Sequence, residues 1–206
     1  MFSIKNGFGT YRGLVRTTLD TCLWYGGKYR SFGLVKWARV RRIIFVCQGN
    51  ICRSPFAEAV ARNVFQSLPI SSVGLSTTSG APAFAMAQEA ARRFAIDLSQ
   101  HRTTDIQHFQ LRDGDLIFAM EARHIAPLSR SCAGCEVQIA LLGLWCRPRL
   151  ALLYDPHGSS SEYFATCFDR IHRAVVRLGE EAGGIDVGRR LDDQDSYIDR
   201  ISAVRT

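Results

Sequence analysis

The stretch Cys47-Gln48-Gly49-Asn50-Ile51-Cys52-Arg53-Ser54-Pro55 is entered from the β-type run Arg42-Ile43-Ile44-Phe45-Val46 and left through the helical pattern Phe56-Ala57-Glu58-Ala59-Val60. A strand ending at Cys47 delivers a thiol into a tight loop whose backbone N–H groups can turn inward together. A helix starting at Ser54-Pro55, with a capping side chain and proline in its first position, aims its positive dipole end at the same point. Arg53 adds a planar fork that matches two oxygens of a tetrahedral oxyanion. Gly49 lets the backbone approach a ligand closely, and Asn50 tolerates the left-handed conformation such a ring requires. The field that binds a dianion also favours thiolate over thiol, so Cys47 reads as a nucleophile inside a phosphate trap. Cys-x5-Arg alone fits a buried strand-end thiol and a helix-start surface charge equally well. The flanking strand and helix, with Gly, Asn, Ser and Pro each in a mechanically required place, decide for chemistry.

Four β-type runs follow one another along the chain: Arg42–Cys47, Ile70–Leu75, Asp115–Met120 and Glu136–Leu142. Helical patterns alternate with them. Phe56, Val60 and Val64, flanked by Ala57 and Ala61, make one apolar face. Further helices are expected over Ala83–Phe94, Glu121–Leu128 and Ser160–Leu178, the last with Phe164, Phe168, Ile171, Val175 and Leu178 at helical intervals. The pattern predicts an α/β fold, a four-stranded parallel sheet with helices on both faces and the phosphate loop after the first strand. Right-handed crossovers put the loops after the strands on one edge, where Cys47 and Asp155 can meet. Transfer of a phosphoryl group to Cys47 needs a proton for the departing oxygen. Asp155 is the candidate donor, because Pro156 holds the residue before it extended and so fixes how the carboxylate is presented. Glu121 is next in line. Ser54 can donate its hydroxyl to the Cys47 sulfur.

The chain resembles the low-molecular-weight protein tyrosine phosphatases, whose signature Val-Cys-x-Gly-Asn-x-Cys-Arg-Ser-Pro stands here as Val46 to Pro55. The similarity extends over residues 42 to 178 and includes Ile96 to Arg102, Asp115 to Ile125, Leu141 to Trp145 and Tyr154 to Pro156. The Met-Glu-x-x-His and Leu-Gly-x-Trp pieces resemble the bacterial branch that serves polysaccharide-export tyrosine kinases. The resemblance implies hydrolysis of protein phosphotyrosine through a phosphocysteine intermediate, without metal or cofactor, with a bacterial tyrosine kinase as partner and a role in polysaccharide export or synthesis. It implies Cys47, Arg53 and Asp155 as catalytic residues and Gln48, Gly49, Asn50, Ile51, Cys52 and Ser54 as the substrate-binding loop. Asn50, Ser54, Ser76 and His101 are implied as its buttress. Ile51 resembles the tyrosine-directed members, and His157 stands where relatives carry tyrosine. Two rival functions remain open: a thiol-dependent arsenate reductase on the same fold, and a non-catalytic phosphotyrosine-binding module. The first lacks its shuttle cysteine, since Met120 stands at the end of the third strand; the intact Cys47, Arg53 and Asp155 set speaks against the second.

The 206 residues suffice for one α/β domain with appendages, divided as an extension over 1–41, a phosphatase domain over 42–178 and a polar, flexible tail over 179–206. The net charge of +7 is concentrated: residues 1 to 42 hold nine Lys and Arg against the single acid Asp20. The body is nearly neutral, so basicity gives no reason to expect a nucleic-acid partner. In the extension, Phe2, Phe8, Tyr11, Trp24, Tyr25, Tyr29, Phe32 and Trp37 alternate with Lys and Arg. They are expected to pack on the body, with peripheral contact to an anionic membrane face as the functional alternative. Every expected catalytic group lies beyond residue 46, so the extension is expected to leave the chemistry alone. Seven cysteines without a signal-like or membrane-length apolar run suit a reducing cytoplasm. There Cys52 can form a reversible disulfide with Cys47 or simply pack. Cys132 and Cys135, with Cys146 and His124, have irregular spacing for zinc. Tyr197, flanked by acids, resembles a kinase substrate only by composition.

Overall fold

The computed structural model describes residues 4–183; most of the expected tail, Tyr197 included, and Phe2 lie outside the described residues. Four strands, β1 (Arg42–Cys47), β2 (Ile70–Gly74), β3 (Asp115–Ala119) and β4 (Gln138–Leu141), form one parallel sheet in the order β2-β1-β3-β4. The expected parallel α/β sheet is thus the observed one, with β2, β3 and β4 trimmed at their ends. β1 and β3 are central and buried along nearly their whole length, which is why both read as unbroken apolar runs rather than alternating ones. Phe45 and Phe118 stack across them with ring centroids 5.6 Å apart.

Six α-helices lie among the described residues: α1 (Ile4–Phe8), α2 (Tyr11–Tyr25), α3 (Arg53–Val64), α4 (Ala85–Arg92), α5 (Ile125–Ser131) and α6 (Ser161–Glu181). The expected apolar face of α3 is buried in full, and Phe56 stacks on Phe168 of α6 at 4.0 Å. α6 is capped by Ser160, whose side chain accepts from the Tyr163 N–H, and it runs three residues past the expected end at Leu178. The helix expected from Glu121 is broken into a 3₁₀ turn (Ala122–His124) followed by α5.

Residues 4–41 pack against the body. Trp37 stacks near Phe65 at 6.0 Å, Arg149 lies over Trp24 at 5.6 Å and Arg170 over Phe8 at 5.6 Å. Gln138 at the edge of β4 exchanges hydrogen bonds with the backbone of Lys36, at 2.8 and 3.2 Å. The aromatics Trp24, Tyr29, Phe32 and Trp37 are partly buried on the core, as the packing expectation has it, whereas Tyr11 and Tyr25 depart from it and face solvent. No helix among the described residues is long and apolar enough to cross a membrane.

β2 ends at Gly74, paired with Cys47 at the mouth of the phosphate loop. A Cβ at Gly74 would lie 2.9 Å from Thr77 Cγ2 and 3.1 Å from both the Asn50 Cβ and backbone N. Gly74→Ala therefore pushes on the phosphate loop itself. Overpacking of this kind costs about 1–3 kcal/mol. The variant should melt several degrees lower and lose loop function, as thermal unfolding and phosphate-analogue titration will report.

Candidate active site

The loop from Cys47 to Arg53 closes as its chemistry requires. Asn50 takes φ 52°, one of two non-glycine residues with positive φ among the described residues, and is fully buried. Its side-chain amide donates to Ser54 Oγ and Ser72 Oγ, both at 2.9 Å, and its Oδ1 accepts from the Thr104 N–H at 2.9 Å. Ser54 Oγ lies 3.1 Å from Cys47 Sγ. His101 Nε2 reaches the Asn50 carbonyl at 2.8 Å and so tethers the loop from outside. Burial lowers the pKa of His101, against the opposing pull of the Asn50 carbonyl, which suits a neutral ring donating to that oxygen.

Two expectations need correction. The hydroxyl that joins Asn50 to the buttress belongs to Ser72 in β2, not Ser76. Ser76 lies beyond the strand, where its backbone N–H donates to the Gln48 carbonyl at 3.0 Å. A hydroxyl buried in a strand must find a partner, and Ser72, on the buried face of β2 beside Ser71, also donates to Glu58 at 2.5 Å. Ser54 does not cap α3. The helix begins at Arg53 after Cys52, with no side-chain cap bond, and the Ser54 hydroxyl is committed to Asn50 and Cys47. Pro55 still falls in the first turn, where a missing N–H costs nothing.

Arg53 is buried to 1% exposure. Its Nη1 donates to Glu121 Oε1 at 2.7 Å and to the Leu153 carbonyl at 2.8 Å, and its Nη2 donates to Asp155 Oδ2 at 2.5 Å. Its Nε has no hydrogen-bond partner among the described residues. One donor is thus left for an incoming oxyanion, with a second held by an exchangeable carboxylate. Burial alone would lower the Arg53 pKa, but Asp155 and Glu121 outweigh it and raise it, so the group stays cationic. Asp155 is about one-third exposed and accepts at Oδ1 from the His157 N–H at 3.2 Å. It does not follow β4 directly. A 3₁₀ turn (Leu142–Trp145) and a segment paired with the end of β3 intervene, with Leu152 bridged to Glu121 and the Leu153 N–H donating to the Met120 carbonyl at 2.9 Å.

A strand-end thiol, a buttressed loop, a buried arginine and an acid from a distant segment thus converge at the carboxyl edge of the sheet. The family model "Low molecular weight phosphotyrosine protein phosphatase" matches residues 42–183. The chain belongs to this family. The phosphatase Wzb of Salmonella typhi is 32% identical over 134 residues, covering 65% of this chain and 89% of that protein. Among solved structures, Vibrio vulnificus Wzb in complex with benzylphosphonate matches with a TM-score of 0.57 at 27% identity, covering 68% of this chain and 98% of the other. The Erwinia amylovora tyrosine phosphatase AmsI matches with a TM-score of 0.58 at 28% identity, covering 66% and 89%. The resemblance read from Val46 to Pro55 is borne out, and the relatives are bacterial.

One further residue of this phosphatase site, Phe84, escaped the sequence. Phe84 donates its N–H to the Ile51 carbonyl at 2.9 Å, and its ring meets His157 edge-on at 4.7 Å. Phe84 and His157 therefore stand as ring walls beside the loop. Glu121, taken from sequence as a reserve acid, is instead the anchor of Arg53. Burial would raise its pKa, but Arg53 and Arg123 override it and bring it down to about 2, so at neutral pH it has no proton to give.

Cys52 is buried, and burial first, then Cys47, pushes its pKa up; both thiols are free. Cys135 and Cys146 point their thiols at the separate carbonyls of Leu111 and Arg170. Among the described residues, no three His, Cys, Asp or Glu side chains gather into a group that could hold a metal ion.

His124 sits 3.6 Å from Glu121 with neither ring nitrogen hydrogen-bonded among the described residues. Burial drives its pKa down to about 4, against the pull of Glu121. A depressed histidine binds protons more readily unfolded than folded, so its contribution is present above pH 6.5 and is lost as pH falls toward 4. The Glu121 contribution, present above pH 4.5, fades as pH falls toward 2. Urea unfolding of the wild type should weaken progressively below pH 6.5, and His124→Leu should flatten the leg between pH 6.5 and 4 while leaving the more acidic leg.

Proposed function

We propose that this phosphatase hydrolyses protein phosphotyrosine through a phosphocysteine intermediate. The observation that carries the reading is the meeting of Arg53 with Asp155 beside the Cys47 loop, at 2.5 Å between Nη2 and Oδ2. In the first step the Cys47 thiolate attacks phosphorus and the ester P–O bond breaks, with Asp155 giving its proton to the departing phenolate. In the second, Asp155 takes a proton from water, the water oxygen attacks phosphorus, and the P–S bond breaks to return the Cys47 thiolate. The loop N–H groups from Gln48 to Ser54 and the Arg53 fork hold the equatorial oxygens as charge gathers there. Ile51, Phe84 and His157 suit a flat aryl group, in keeping with the benzylphosphonate complex of Vibrio vulnificus Wzb. A bacterial tyrosine kinase serving polysaccharide export or synthesis is the substrate protein proposed. Arsenate reduction is the second reading, disfavoured by buried Met120, which follows β3 where that chemistry needs a thiol.

Cys47→Ser should abolish aryl phosphate turnover in EDTA-containing buffer while still binding a phosphate analogue, since the loop and Arg53 remain. Asp155→Asn should slow phenyl phosphate hydrolysis by roughly 10²–10⁴ and p-nitrophenyl phosphate far less, because the better leaving group needs no proton. Equal slowing of the two, or turnover left in Cys47→Ser, overturns the mechanism.

The proposed setting is the cytoplasmic face of a membrane, where free thiols are kept reduced. The outer side of α2 supports it. Tyr11, Val15, Leu19 and Leu23 recur at i, i+4 spacing and are exposed, Val15 by 56% and Leu19 by 59%, in a segment rich in Lys and Arg. Cosedimentation with phosphatidylserine vesicles should fall with added salt and drop in Val15→Ser, Leu19→Ser; salt-independent or unchanged binding removes this contact.

A further inference from the structure

Helix α2 belongs to the extension, outside the residues the family model matches, yet it touches both neighbours of the catalytic pair. Arg16 Nη2 donates to Glu121 Oε2 at 3.2 Å, the carboxylate whose other oxygen holds Arg53 at 2.7 Å. The same guanidinium lies over the ring of Tyr154, 6.0 Å from its centroid, and Tyr154 immediately precedes Asp155. Thr10 strengthens the second contact. Its hydroxyl caps α2 by accepting from the Gly13 N–H at 2.9 Å and donates to the Tyr154 hydroxyl at 3.3 Å. Gly13 is pressed against this ring, since a Cβ there would lie 2.9 Å from Tyr154 Cδ1. The backbone of Tyr154 is fixed from the opposite side, where Tyr163 Oη donates to its carbonyl at 3.1 Å.

We propose that Arg16 is a positioning residue of the phosphoryl-transfer site, setting the Arg53 fork through Glu121 and the Asp155 carboxylate through Tyr154. The inference rests on the phosphatase reading above. Glu121 is 1% exposed and must satisfy both of its oxygens inside the protein. Arg123 also reaches it, at 2.9 Å to Oε1 and 2.8 Å to Oε2, but from a more exposed side chain, 49% against 30% for Arg16. Arg16 arrives from a capped helix pinned on Tyr154, so it fixes the plane of the carboxylate and with it the direction from Oε1 to Arg53. On this proposal the extension, expected to leave the chemistry alone, is connected to it mechanically through Glu121 and Tyr154.

The test compares the full chain with Arg16→Ala, Arg16→Lys, Glu121→Gln, the double variant Arg16→Ala, Glu121→Gln, and Arg12→Ala on the exposed side of the same helix. Arg16→Ala should lower kcat roughly three- to thirtyfold, inside the range of coupling between residues in one network, with a smaller change in KM. The loss should be larger for phenyl phosphate than for p-nitrophenyl phosphate, because Asp155 is displaced as well as Arg53. Arg16→Lys should recover part of the loss, Arg12→Ala should match the wild type, and the double variant should be no worse than Glu121→Gln. A readout independent of turnover is the N–H resonance of the Arg53 guanidinium, which should shift in Arg16→Ala and stay in place in Arg12→Ala. An unshifted resonance in Arg16→Ala, kcat within twofold of the wild type, or losses that multiply in the double variant overturn the proposal. If Arg16→Ala does not fold, the same comparisons with Arg16→Lys decide. A wild type without aryl phosphatase activity would instead sink the reading of function, and the Arg53 resonance would still decide on Arg16.

Discussion

A guanidinium in the interior of a small α/β domain has to be held by acceptors on several sides, because an ion removed from water without partners costs far more than a domain can spare. Arg53 meets this with two carboxylates and a backbone carbonyl, from Glu121, Asp155 and Leu153. Removing one partner of such a buried set typically costs about 3–5 kcal/mol. The requirement organises the carboxyl edge. β1 and β3 are neighbours, so the residue two past β3 can reach the first turn of the helix that follows β1. The segment before Asp155 is bridged to that same residue, which brings a distant acid to the loop. Fold and site are thus one arrangement of acceptors around one cation.

What the sequence made legible is what is local. The loop from Cys47 to Pro55 can be read because each residue acts through its own backbone conformation or its immediate neighbour, and Asn50 adopts the left-handed conformation anticipated for it. The central strands β1 and β3 could be read because burial on both faces leaves an unbroken apolar run. The partners of Arg53 could not be assigned, since Glu121 is 68 residues away and its spacing carries no period. The capping assignment to Ser54 failed for a related reason: a hydroxyl at a helix start has several possible uses, and the buried amide of Asn50 claimed it.

The extension shows the same limit in another form. Its aromatics were visible as a composition, and composition favours packing, but the partners they meet, such as Phe65 and Arg149, are distant and irregularly spaced. Nothing in the neighbourhood of Arg16 distinguishes it from the other basic residues there. Its assignment to a buried carboxylate emerges only once α2 is laid against Tyr154.

The Glu181 carboxylate near the end of α6 accepts from two indoles, Trp37 at 3.2 Å and Trp145 at 2.7 Å, while Trp24 lies beneath Arg149. These are the three tryptophans of the chain, and each lies where the extension meets the body or shares a partner with one that does. Indole emission is sensitive to hydrogen bonding and to nearby charge, so the intrinsic fluorescence of this protein is a gauge of how firmly its first forty residues are seated. Quenching or a red shift during a titration therefore signals peeling of that segment, and a ligand that settles in the phosphate loop without disturbing it would be optically silent.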